Sequence, residues 1–397
     1  VATVSGWDDL VGQDRVVEVL SRAAAAAEQI LVGEPGVGMT HAWLFTGPPG
    51  SGRSTAARSF AAALQCPRGG DGGRGGGCGD CAACRTVRAG THADVEVVST
   101  RLLSIGVNEA RELVHRTARH PSGGRWQVVI MEDADRMTEQ AANTLLKAVE
   151  EPAPRTVWLL CAPSLEDVIP TIRSRCRLMA LRTPPTAAVA EVLIRRDGVD
   201  PAMAAFAARA SQGHIGRARR LATDEQARLR RKAALDVPLH LAHIGDCITA
   251  ASNLVEAAQE EATRDTGELD AREAEKLGRA LGAGTTGRRP PSGASAALKE
   301  LEKQQKRRAT RTSRDAIDRA LTDLASFYRD VLALQVGSEV ELTNAELRPG
   351  LDRVAGSSSP EQTLRRLRAV LDCREDVAAS VAPLLAAERL TLRLRAG

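Results

Sequence analysis

The sequence runs to 397 residues with a formal net charge of +4, a balance too mild to demand a polyanion partner by itself. No run of 18 apolar residues suggests a membrane span, and the opening VATVSGWDDLVGQ lacks the basic start and apolar run of a secretory signal. We therefore expect a cytoplasmic protein of two or three domains. With aromatics at only 2%, its cores must be built from Ala, Leu and Val, which favours close-packed helices.

Residues 41–46 (HAWLFT) predict a short apolar strand running directly into GPPGSGRS at 47–54, and residues 55–64 then predict a helix. Strand, glycine loop and helix are the setting of the phosphate-binding pattern G-x-x-x-x-G-K-[ST]. Gly47, Gly50 and Gly52 shape a cradle of backbone amides, and Ser54 stands where a magnesium-binding hydroxyl belongs. Arg53 replaces the lysine. It keeps the charge, but its planar guanidinium does not reproduce a point-charge ammonium, so weak or absent ATP hydrolysis is expected.

Four cysteines follow: Cys66, then Cys78, Cys81 and Cys84 in C-x2-C-x2-C spacing, with PRGGDGGRGGG between the first two. A cytoplasmic setting disfavours disulfides. Four thiolates with x2 turns fit structural tetrahedral zinc and leave no open position for a substrate; an iron–sulfur cluster and unliganded thiols are the alternatives. Arg68, Arg74, Arg85 and Arg88 nearby are either a solvated surface or a DNA contact. The lone cysteines 161, 247 and 373 read as small buried hydrophobes.

Residues 128–131 predict a buried parallel strand, with Glu132 and Asp133 emerging at its C-terminal end. A hydrolytic site needs one acid for magnesium and one to orient water. Here the order is Glu-Asp instead of Asp-Glu, and both could simply be loop acids before a helix over 138–150. A third strand over 156–160 ends in Cys161 and Ala162, where a phosphate-sensing polar residue would be expected. Residues 170–177 (PTIRSRCR) place Arg175 in a turn before a hinge at 181–185.

Taken in order, Leu10 to Gln13, GPPGSGRS, the four cysteines, the stretches 130–135 and 143–152 (NTLLKAVEEP), and 171–176 (TIRSRC) resemble the bacterial clamp-loader subunits of DNA polymerase III, within the AAA+ ATPases. The likeness is strong over roughly the first 180 residues. It implies an α/β fold: an AAA+ P-loop domain over 1–181 with a zinc module at 66–84, a small helical lid over 182–225, and an all-α collar over 226–397 holding a linker near 282–295. The family contains ATP-hydrolysing motor subunits (gamma/tau) and a delta-prime type that serves as a scaffold. The altered loop, reversed acids and missing sensor resemble the second type, as does Gly216 where motors carry a sensing arginine. By that resemblance Arg175 acts in trans at a neighbour's ATP site. The partners it implies are gamma/tau-like ATPase subunits, a delta subunit, and, through the complex, the sliding clamp and primer-template DNA. The competing readings are an active motor subunit and a zinc-dependent DNA-binding protein. The basic stretch 299–314 is read as a solvated helix or a DNA-backbone contact, 316–336 as a helix with an apolar stripe from Ile317 to Leu332, and 364–371 and 377–390 as the last helices.

Overall fold

The computed structural model describes residues 6–68, 76–100, 102–117, 121–123, 125–280 and 294–397. The chain divides into two compact units: residues up to 100 with 104–222, and 101–103 with 223–397. In the first, chain order is α1 (Asp14–Leu31), β1 (Ala42–Thr46), α2 (Arg53–Gln65), α3 (Ala82–Ala89), β2 (Val95–Val98), α4 (Val107–Thr117), β3 (Gln127–Met131), α5 (Glu139–Glu150), β4 (Thr156–Ala162), α6 (Pro170–Arg173), β5 (Arg177–Ala180), α7 (Thr186–Asp197), α8 (Pro201–Ser211) and α9 (Ile215–Thr223). The second contains α10 (Glu225–Asp236), α11 (Ile244–Ala280), α12 (Ala294–Gln335), α13 (Arg348–Ser357), α14 (Pro360–Ala378) and α15 (Pro383–Ala396).

The five strands form one parallel sheet in the order β2-β3-β4-β1-β5. Its three central strands are buried throughout, as helices on both faces require. Alternation along each strand supplies two cores. Trp43, Phe45, Val128, Ile130, Val157 and Leu159 face one way and pack with Phe60 and Leu64 of α2. Leu44, Val129, Met131, Trp158 and Leu160 face the other way, onto Leu113 and Leu145. Trp43 and Phe60 meet edge to face with centroids 5.2 Å apart.

The predicted strands are all present. The edge strands β2 and β5 were not expected, because four residues of mixed polarity carry little periodic signal. β4 extends through Cys161 and Ala162, so these two lie inside the strand instead of following it.

In the second unit α12 supplies Ile317, Leu321, Leu324, Phe327, Tyr328 and Val331 to a core shared with Leu351, Val370, Cys373, Leu390 and Leu394. The basic stretch and the apolar stripe occupy one continuous helix of 42 residues. The expected helix over 377–390 is broken: Ser380 takes a left-handed φ of 71°, and Pro383, with no N–H to donate, opens α15. The linker expected near 282–295 lies outside the described residues as far as 293; Ala294 and Ser295 already begin α12.

Candidate functional site

β1 delivers the chain at the C-terminal edge of the sheet, and the loop 47–52 turns it into α2. The turn needs its glycines. Gly50 has a φ of +90°, and a Cβ there would sit 2.5 Å from the Cα and Cβ of His214. Gly47 leaves no more room, since its Cβ would lie 2.6 Å from the carbonyl oxygen of Leu181. Gly52 is the left-handed residue before α2, and Ser54 is half-buried in that helix's first turn.

Arg53 opens α2 and folds back over the loop, its Nη1 donating to the Gly47 carbonyl at 2.7 Å. Burial lowers the guanidinium's pKa from its ordinary value, against the opposing influence of Cys161, Asp135 and Asp133; it remains a cation. Asp135 is itself pushed up by burial. Cys161 is fully enclosed beneath the loop, and burial pushes its thiol far up. A neutral thiol there is a weak hydrogen-bond donor compared with an amide or hydroxyl.

Both acids after β3 are engaged. Glu132 accepts from Nε of Arg58 at 2.9 Å, and Nη2 of the same arginine lies equally close. Asp133 accepts from the backbone N–H of Thr100 at 2.9 Å, which ties the end of β3 to the segment after β2.

Two further residues shape the loop, and sequence reasoning gave neither a role. Gln13 is buried. Its amide donates to the carbonyls of Ser51 at 3.2 Å and Arg182 at 2.6 Å, and its oxygen accepts from Arg182 N–H. It thereby joins the N-terminal segment, the glycine loop and the exit from β5. His214 closes over Gly50, held in the turn before α9 by accepting from the Arg217 N–H at 3.2 Å. The motif around Gln13 was noticed in the sequence; nothing there marked His214.

Arg175 lies between α6 and β5, well away in sequence from the loop. Its Nη1 donates to the Thr171 carbonyl at 2.9 Å, and its Nη2 meets Glu150 Oε1 at 3.0 Å, with 36% and 52% of the two side chains exposed. An exposed pair of this kind holds with about 0–1 kcal/mol. Glu150, at the end of α5, was not singled out from the sequence.

The four cysteines converge. Cys66 ends α2, Cys81 caps α3, and Cys84 lies in α3's first turn. The sulfur atoms of Cys66, Cys78, Cys81 and Cys84 all lie within 4.8 Å of one another. Successive N–H groups point at successive sulfurs: Cys78 at Cys66, Cys81 at Cys78, and Cys84 at Cys81, each at 3.4 Å. This is the donor set and compactness of a tetrahedral zinc site with Zn–S bonds of about 2.3 Å. The site holds zinc structurally, since all four positions are protein sulfurs. Trp7 packs against Gly76 beside it, and Cys66, Cys84 and Val87 join the core under α2. Of the nearby cations, Arg88 approaches Asp9 at 4.0 Å and Arg85 donates to the Asp80 carbonyl; Arg74 lies outside the described residues.

A five-stranded parallel sheet with a glycine loop at its edge, a four-cysteine metal site and a helical C-terminal region define a P-loop protein of the AAA+ type. Residues 36–185 match the family model described as "DNA polymerase III, delta subunit". Relatives include the DNA polymerase III subunit delta' of Pseudomonas aeruginosa, 39% identical over 41% of this chain and 50% of that protein. The delta' subunit of Bacillus subtilis is 30% identical over 42% and 49%. The gamma/tau subunit of Mycobacterium tuberculosis is 30% identical over 48% and 31%. The N-terminal region of this chain is thus similar to the AAA+ clamp-loader subunits of bacterial DNA polymerase III. The chain spans half or less of the length of these relatives.

Proposed function

We propose that this chain is a non-motor, stator-like clamp-loader subunit, which assembles with gamma/tau-like ATPase subunits and a delta subunit and places Arg175 at a neighbour's ATP site. Through that complex it would serve loading of the sliding clamp onto primer-template DNA. The observation that carries the reading is a contrast between two arginines. Arg53, in the nucleotide loop, is half-buried and bonded to the loop's own carbonyl, beside a buried thiol where a phosphate sensor would stand. Arg175 is exposed and restrained by a surface carboxylate, a carbonyl and the neighbouring Ser174 hydroxyl. The first suits a site that does not turn ATP over; the second suits an arginine that reaches outward. Residues 182–225 would form the lid.

Residues 226–397 would form the collar. Exposed leucines recur at heptad spacing on its last two helices, Leu364 and Leu371 on α14 and Leu385 and Leu392 on α15. Such faces suit docking against neighbouring helices.

The test is ATPase activity of the reconstituted complex. Arg175→Ala should lower turnover at the site it faces by roughly 10³–10⁵-fold while the complex still assembles. Full activity in an intact Arg175→Ala complex would remove the finger role. One observation favours a second reading, a motor subunit in which arginine serves for lysine: the loop keeps its glycine conformations at Gly47, Gly50 and Gly52. Calorimetry of the lone chain with ATP and magnesium separates the two. No heat of binding is expected; micromolar binding would favour the motor.

A further inference from the structure

The first half of α12 has not entered the functional account. Residues 299–314 carry seven basic and two acidic side chains (Glu300 and Glu302). The helix sorts them. Arg308 turns toward α11, where it meets Asp270 at 2.6 Å and Glu273 at 2.9 Å. Gln305 donates to the Asp270 carbonyl on the same side. Arg311 is taken up by Asp315. At 3.6 residues per turn, Lys299, Lys303, Lys306 and Arg307 fall on the opposite side, within an arc of roughly 100°. All four are exposed, and among the described residues no carboxylate pairs with Lys299, Lys306 or Arg307. Lys303 has only Glu300, at 4.0 Å on the flank of the strip. Arg314 is half-buried and continues the line two turns farther on, giving a strip roughly 22 Å long.

We propose that this outward face of α12 docks the phosphate backbone of duplex nucleic acid. Duplex DNA presents one negative charge per about 1.7 Å of axis, so a straight cationic strip of this length can lie along several phosphates. The composition of the strip argues for backbone contact without base reading. It holds no aromatic side chain on which an unpaired base could stack, and the two glutamines between Lys303 and Lys306 are engaged within the protein, Gln304 with Glu300 and Gln305 with the Asp270 carbonyl. Lysine and arginine at one-turn intervals give charge without a bidentate code for particular bases. The partner helix α11 bears acids across from the strip, so contact is confined to one side of the pair. The proposal is independent of the role given to Arg175.

The experiment is fluorescence anisotropy of the full chain with a labelled duplex, titrated at several salt concentrations, alongside a single-stranded probe of equal length. Lys303→Ala/Lys306→Ala/Arg307→Ala should weaken duplex binding by roughly tenfold or more, and should reduce the slope of log affinity against log salt by about three. A charge-conserving Lys299→Arg/Lys303→Arg/Lys306→Arg variant should bind as the parent does. Circular dichroism checks that both variants keep their helix. Unchanged duplex affinity and slope in the alanine variant would overturn the proposal. So would a variant-sensitive preference for the single strand. An alanine variant that binds duplex normally but no longer joins its partner subunits would assign the strip to an acidic protein surface instead.

Discussion

Asp94 shows how one side chain can hold a connection at the edge of the sheet. It is buried immediately before β2, accepting from the Ser122 N–H at 2.7 Å, the Ser122 hydroxyl at 2.6 Å and the Gly123 N–H at 2.7 Å. Burial pushes the carboxyl up, but these hydrogen bonds outweigh it and hold the pKa below its ordinary value. The folded pKa is therefore below the unfolded one, near 3.9. The stabilisation is complete above the unfolded value and is lost as pH falls through the folded one. Asp94→Asn should cost roughly 1–3 kcal/mol at pH 7. Its deficit relative to the parent should shrink on acidification below about pH 4. Urea unfolding at pH 7 and pH 3 measures both; an equal deficit at the two would contradict the assignment. At Gly50, Ala would meet both a positive φ and the His214 side chain. We expect Gly50→Ala to lower stability by roughly 1–3 kcal/mol, read from the same unfolding curves. Local pattern made Gly47, Gly50 and the four cysteines legible, because their spacing is their chemistry. It could not reveal that His214, more than 150 residues on, closes over the loop, nor that Glu150 holds Arg175, since both depend on folded contacts.

Among the helices, α12 carries a buried polar line that no hydrophobic count anticipates. Asp330 is fully enclosed and accepts from the Thr343 N–H at 3.1 Å, the Asn344 N–H at 2.7 Å and the Asn344 amide at 2.9 Å. Arg231 of α10 comes in beside it, pairing with Asp323 at 3.3 Å and Glu346 at 2.7 Å. The network fixes the connection between α12 and α13, alongside Leu342 and Leu347, which pack against the core of this unit. Asp330→Ala strands its backbone donors and should destabilise by roughly 3–5 kcal/mol, visible as a lower urea midpoint. A loss under about 1 kcal/mol would mean that the connection is held by other contacts. The stripe from Ile317 to Val331 was legible because a period of 3.6 stands out against a polar background. The unity of α12 was not, because its charged half carries no such period. The stop at Ala379 was also missed: a left-handed serine leaves no signature, and Pro383 marks only where the next helix starts.

At the scale of the molecule, metal and fold are coupled in the first unit, the place of the four-cysteine cluster among the described residues. Cys66 and Cys84 are core residues as well as ligands, so loss of zinc should disturb the packing beneath α2. The purified chain should carry one zinc, measured by elemental analysis. Chelation should lower the thermal transition of the first unit and leave that of the second in place. A chelated protein with an unchanged melting profile would make the cluster dispensable to the fold. Burial pushes Cys176 up to about 12 and Cys373 up to about 11. Cys161, Cys247 and Cys373 are also buried, so thiols that chelation newly exposes to a maleimide should come from the cluster. The AAA+ character of the first unit was readable from order alone, because strand, loop, acids and arginine turn recur at fixed places. The second unit yielded helices but no topology, since helical period says which face is buried and not against what.

The placement of the aromatic residues has a practical consequence. Trp7, Trp43, Trp126 and Trp158 are the chain's four tryptophans and all belong to the first unit, whereas its one tyrosine, Tyr328, is buried in the second. The two units therefore carry separate optical signatures in the unmodified protein. Emission excited in tryptophan alone follows the sheet and its metal module, with Trp7 beside the cluster. The helical unit, which holds no tryptophan, is silent in that channel, so the first unit's unfolding can be watched alone, without a label and without cutting the chain.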